Sequence, residues 1–162
     1  AEALDSDQPD VAIVFSQWEL FDRKMPGDPQ WRHLGDPTYD QYVEDEFLAA
    51  TDLIAKHHAL VLWCTVPYFG NALDEQLNDS QKAGHDPARV DRLNAIIRDV
   101  VAKRPDGAEL IELAGYVDPR VDDTSLRSDG EHFDFDGEDH IADDFLGEAV
   151  VDAWKKWWEA HH

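Results

Sequence analysis

Two short, uninterrupted apolar runs constrain this chain more than any other feature. Residues 11–15 read Val-Ala-Ile-Val-Phe and residues 59–66 read Ala-Leu-Val-Leu-Trp-Cys-Thr-Val. A strand with one wet face would alternate apolar and polar residues. Runs this short without alternation suit strands buried on both faces, the setting of a parallel sheet. A helix must then lie between them, and the sequence supplies one. Asp36-Pro37 is a helix start, with Asp as N-cap and Pro in the first turn. Tyr39, Tyr42, Val43, Phe47, Ala50, Leu53 and Ile54 follow at helical spacing, to about Lys56. Asp86-Pro87 repeats the start signal, and Val90, Leu93, Ile97, Val100 and Val101 form its stripe. A turn at residues 104–107 leads to a third, shorter strand at 109–113. Residues 116–126 read as a loop. Asp136 is positioned to cap a last helix, with Ile141, Phe145, Ala149, Ala153 and Trp157 recurring every four residues beside Leu146, Val150 and Trp154. Strands alternating with helices predict an α/β domain with a parallel sheet and right-handed crossovers. The connections at 16–23, 24–38 and 69–86 follow strand ends or precede helices. In open α/β sheets, sites are built at the carboxyl edge of the strands.

Composition narrows the function. At 162 residues there is room for one domain and one core, and 43% hydrophobic residues with six Trp and seven Phe argue for a folded chain. Acidic residues number 36 against 14 basic, a formal net charge of −22. That field repels nucleic acid and anionic membranes. The charge is spread along the chain, which reads as a strongly hydrated surface. No apolar run approaches the length of a membrane span. Cys64 is the single cysteine, so no intrachain disulfide is available.

One stretch carries chemistry. Residues 127–133 read Arg-Ser-Asp-Gly-Glu-His-Phe. An Asp three residues before a His can hold one ring nitrogen while the other faces a nucleophile, and Gly130 permits the sharp turn this needs. Phe133 and Phe135 are placed to exclude water. The same spacing also describes an acidic surface loop with a solvated histidine. His132, Asp134, Asp136, Asp139 and His140 crowd together, but Gly137 comes two positions too early for an EF-hand loop, and no metal or other cofactor is expected.

Four passages, in order, resemble the SGNH-type hydrolases (the GDSL esterase superfamily), and in particular the SGNH domains that accompany bacterial acyltransferase-3 membrane proteins. They are PDVAIVFSQWELFDR (9–23), ALVLWCTVPYF (59–69), RVDRLNAIIRDV (89–100) and LRSDGEHFDFDG (126–137). The resemblance implies a flavodoxin-like three-layer α/β/α sandwich and a Ser-His-Asp acyl transfer. The substrate expected from it is an acyl ester, linked to carbohydrate or cell-envelope glycan, in an extracytoplasmic setting. His132 becomes the base and Asp129 its partner. In the family's oxyanion block this chain reads Ser-Gln-Trp-Glu (16–19), so Gln17 is the candidate to donate an N–H to the oxyanion in place of Asn. Trp18 lines the acyl pocket or belongs to the core. Arg127 binds an anionic or sugar group, or is an exposed cation answering local acidic charge. Asn94 reads as a structural hydrogen-bonder.

The family's Gly-Asp-Ser block is absent. Asp5-Ser6 has no apolar strand before it; Ser16 ends a strand but lies in the wrong block; Ser80, Ser125 and Ser128 lie in loops without the context of a nucleophile elbow. The chain is therefore expected to be the back part of a domain whose sheet is incomplete at its N-terminal side, completed by a preceding segment or a partner chain. The alternative is a non-catalytic carbohydrate-binding or structural module of the same fold that has lost its nucleophile.

Overall fold

The three apolar segments form one parallel sheet. The architecture comes from a computed structural model describing residues 6, 8–70 and 76–161. The strands are β1 (Val11–Val14), β2 (Leu60–Cys64) and β3 (Ala108–Ile111), hydrogen-bonded in the order β1-β2-β3. Val11 sits opposite Leu60, and Val61 opposite Ala108. All five residues of β2 are buried, because it is the central strand with apolar clusters on both faces. Its alternate side chains divide between them. Val61 and Trp63 join one cluster, and Leu60, Leu62 and Cys64 the other.

Two long helices build the first cluster. α1 (Pro37–Ala55) starts where Asp36 caps it, its side chain accepting from the Thr38 N–H, and it buries Tyr39, Val43 and Phe47. The short α2 (Asp79–Gly84) lies within the connection read as loop. Its capping box, Asn78 with Gln81, was visible in the sequence and is the signal that marks it. α3 (Pro87–Ala102) is capped by Asp86 and buries Val90, Leu93, Ile96, Ile97 and Val100. Trp63 inserts its ring 4.5 Å from that of Phe47. Its indole N–H donates to Thr51 Oγ1 at 2.9 Å, so the largest buried side chain leaves no polar atom unpaired.

The second cluster lies under the C-terminal third of the chain. β3 ends at Ile111, and Leu113 begins α4 (Leu113–Val117), followed by a 3₁₀ turn (Asp118–Arg120). The strand expected to reach 113 and the loop expected from 116 are corrected accordingly. The polypeptide turns because Leu113, Ala114 and Val117 bury along one helical face. α5 (Phe135–Ile141) is capped by Asp134, not Asp136: the Asp134 carboxylate accepts from Gly137 N–H at 3.0 Å. A π-helical turn (Ala142–Leu146) joins α5 to α6 (Gly147–His161). The apolar stripe of Phe145, Leu146, Ala149, Val150, Ala153 and Trp157 packs on this face of the sheet.

β1 departs from expectation. It is an edge strand, with no residue fully buried, and Ile13 (41% exposed) and Phe15 (56% exposed) open to solvent. Val11 and Ile13 pair with Leu60 and Leu62, so they lie on the α6 side. α6 itself has no fully buried residue. The sheet is covered there over β2; over β1, Val11 packs against the second cluster and Ile13 is exposed. Among the described residues, no helix is long and apolar enough to cross a membrane.

Candidate functional site

The carboxyl ends of β1 and β2 open onto a cleft of about 520 Å³, and the loop before α5 closes one side of it. Parallel strands place all their outgoing loops at this edge, which is why residues distant in sequence meet here. Phe15, Gln17 and Trp18 come from the β1 exit, Arg127, His132 and Phe133 from the 127–133 loop.

That loop is folded by its own aspartate. Asp129 Oδ1 accepts the backbone N–H groups of Glu131 (2.8 Å) and His132 (2.7 Å), while Oδ2 lies 2.8 Å from His132 Nδ1. Gly130 sits between them at φ +79, a conformation side chains resist. It also touches a second glycine: Gly70 N–H donates to Gly130 O at 2.8 Å, and a Cβ at 130 would lie 2.8 Å from Gly70 O. The two loops therefore interlock through backbone alone. Gly70 was not singled out by sequence reasoning; its glycine, directly after the Tyr68-Phe69 pair, is the only signal. His85 adds a second tie. It stacks on Phe69 at 3.9 Å and approaches Glu131 at 3.6 Å.

The electrostatics follow from this geometry. Burial would push the Asp129 carboxyl up. Its hydrogen bonds from the His132 ring and from the backbone of His132 and Glu131 outweigh that and hold it at about 2. An ionised carboxylate only accepts, so His132 Nδ1 carries the proton. The Asp129 bond raises the His132 pKa above its ordinary 6.5, against partial burial and with help from the Glu131 charge. Nε2 makes no hydrogen bond with any described residue. The His132 side chain is 70% exposed and Asp129 32%. His132 lines the cleft, its Nδ1 held by Asp129 and its Nε2 without a partner among the described residues.

The remaining candidates divide. Gln17 lines the cleft and its side-chain amide bonds no described residue. Trp18 is 74% exposed at the cleft mouth, which excludes it from the core. Arg127 is only 3% exposed, so the reading of an exposed surface cation is corrected; its guanidinium lies 5.8 Å over the Phe133 ring. Phe133 lines the cleft, but Phe135 is 88% exposed at the start of α5 and walls off nothing. Asn94 lies outside the site: it clasps the Val66 backbone, accepting its N–H at 2.7 Å and donating to its carbonyl at 2.8 Å.

No serine hydroxyl bonds His132 among the described residues. Ser16 lines the cleft, but its Oγ donates to Glu19 Oε2 at 2.5 Å. Ser125 bonds Asp123, and Ser6 and Ser128 are exposed outside the cleft. Cys64 reaches the cleft wall from the core, and burial pushes its thiol to about 12, too high to act as a thiolate nucleophile at neutral pH. Among the described residues, no group of three or more His, Cys, Asp or Glu side chains is placed to hold a metal ion. The Asp134 carboxylate is occupied in capping α5. No family model, no curated protein and no solved structure matches the chain.

Proposed function

We propose that this chain is the C-terminal part of an SGNH-type esterase or O-acyltransferase domain, acting on acyl esters of carbohydrate or cell-envelope glycan. The observation that carries the reading is the Asp129–His132 pair, joined at 2.8 Å, with His132 lining a cleft at the carboxyl ends of two parallel strands. In this proposal the two apolar clusters and their helices are parts of a three-layer, flavodoxin-like sandwich. His132 Nε2 takes the proton from a serine hydroxyl as it attacks the ester carbonyl. Asp129 keeps the proton on Nδ1 and stabilises the imidazolium that forms. Gln17 donates its amide N–H to the developing oxyanion, a contribution of about 3–4 kcal/mol for a well-aimed donor. The serine arrives on a strand added at the free edge of β1, which delivers its carboxyl end to the same cleft as the β1 exit.

The test is hydrolysis of p-nitrophenyl acetate by the chain joined to the segment that completes the sheet. His132→Ala is expected to lower kcat/KM by at least ~10²-fold, the usual scale of a lost general base. Circular dichroism should stay unchanged. Undiminished turnover in that variant removes His132 from the mechanism. One observation favours a second reading: no described serine reaches His132. A non-catalytic carbohydrate-binding module of the same fold would account for that. It predicts sugar binding without turnover even in the completed domain.

A further inference from the structure

Arg127 is a buried cation with no carboxylate at ion-pair distance among the described residues. Six other arginines, at positions 23, 32, 89, 92, 98 and 104, each lie within ion-pair distance of a carboxylate, while the half-buried Arg120 lies over the Tyr116 ring and donates to the Tyr116 carbonyl. Arg127 has none among the described residues, in a chain with 36 acidic side chains, and it is 3% exposed. Among the described residues its one hydrogen bond is from Nη2 to the Val121 carbonyl, long at 3.3 Å. A guanidinium offers five N–H donors, so most of its capacity is unused. Asp118, Asp129, Asp122 and Glu131 act on it only through space, and burial still drives its pKa down. A buried charge left in this state is costly unless another group completes it. The cleft into which it faces is where that group would sit.

We propose that Arg127 binds a carboxylate of the ligand in the His132 cleft. The guanidinium fork matches a planar carboxylate with two parallel hydrogen bonds. Glu131 and Glu138 also line the cleft. They disfavour a dianion such as phosphate more than a single negative charge. A neutral sugar hydroxyl would fill a donor but leave the charge unbalanced. The carboxylate can belong to the second, free carboxyl of a dicarboxylic acyl group or to a uronic acid in the glycan. Its assignment to an ester substrate rests on the function proposed above; carboxylate binding itself does not.

The experiment needs no turnover. The full chain, labelled to show arginine Nε–H resonances, is titrated with butyrate, glucuronate, phosphate and the uncharged butyramide. The expected result is movement of the Arg127 resonance and binding of butyrate or glucuronate about tenfold or more tighter than butyramide. Butyrate binding tighter fits the free carboxyl-bearing tail of a dicarboxylic acyl group, and glucuronate binding tighter places the carboxylate on the glycan. Arg127→Lys, which keeps the charge and loses the fork, should weaken the preferred carboxylate by about tenfold. Phosphate binding tightest, an unmoved Arg127 resonance, or equal affinity for butyrate and butyramide each overturn the proposal. A completed domain that binds carboxylate but hydrolyses no ester refutes the esterase reading and leaves this one standing.

Discussion

Asp129 does two jobs with one carboxylate, folding its loop through Oδ1 and holding the His132 ring through Oδ2. The consequence is a measurable titration. A histidine whose folded pKa is raised contributes stability below its ordinary 6.5, and that contribution disappears as pH rises through the raised value. Asp129, held at about 2, contributes above its ordinary 3.8 and loses that contribution as pH falls towards 2. His132 is too exposed for either effect to dominate stability. The informative quantity is therefore the ring's own midpoint. Proton NMR of the His132 C2–H should give a midpoint above 6.5, returning towards 6.5 in Asp129→Asn. A midpoint at or below 6.5 in the unaltered chain means the pair does not persist in solution. Because a general base must be neutral, any esterase activity should rise with pH along the same curve.

At the scale of elements, the site edge depends on a helix residue outside the site. β2 ends at Cys64, and Thr65 still reaches the Ile111 carbonyl. Val66 has passed the end of the ladder. Asn94, on α3, replaces the missing partner with two hydrogen bonds. Asn94→Leu leaves a buried N–H and a buried carbonyl unpaired, which should cost about 2–4 kcal/mol in urea unfolding. A loss below about 0.5 kcal/mol would mean that water reaches Val66 instead. This residue also shows what was legible. A polar residue on an apolar stripe announced a structural hydrogen bond, and the Asp-Pro pairs announced α1 and α3. The strand positions were legible from apolar runs alone. The exposure of β1 was not, because a run of five apolar residues looks the same on an edge as in the centre. The burial of Arg127 and the Gly70–Gly130 contact were not legible either. The glycine contact depends on loops meeting across sixty residues of chain, and the burial of Arg127 on how its loop folds over it, neither of which a local pattern encodes.

At the scale of the whole molecule, the surface charge and the bare edge of β1 act against each other. Twenty-two uncompensated negative charges repel within one chain and between chains. Salt also weakens the exposed ion pairs, such as Arg98–Glu112 and Arg104–Asp52. Those are worth about 0–1 kcal/mol each, so relief of net repulsion should win. The melting temperature is expected to rise as potassium chloride increases from tens of millimolar towards molar. Chloride separates screening from the surface exclusion that sulfate would add. The same screening removes the barrier to contact at β1, whose outer edge has no strand partner among the described residues and whose Ile13 and Phe15 are exposed. An unpaired apolar edge recruits another strand when charge no longer prevents it. Sedimentation velocity should therefore show a monomer at low salt and association at high salt. Ile13→Lys should block that association while leaving the salt dependence of melting intact, because a single added cation hardly changes the total charge. A chain that stays monomeric throughout, with a melting temperature indifferent to salt, would mean that neither the repulsion nor the open edge governs its behaviour.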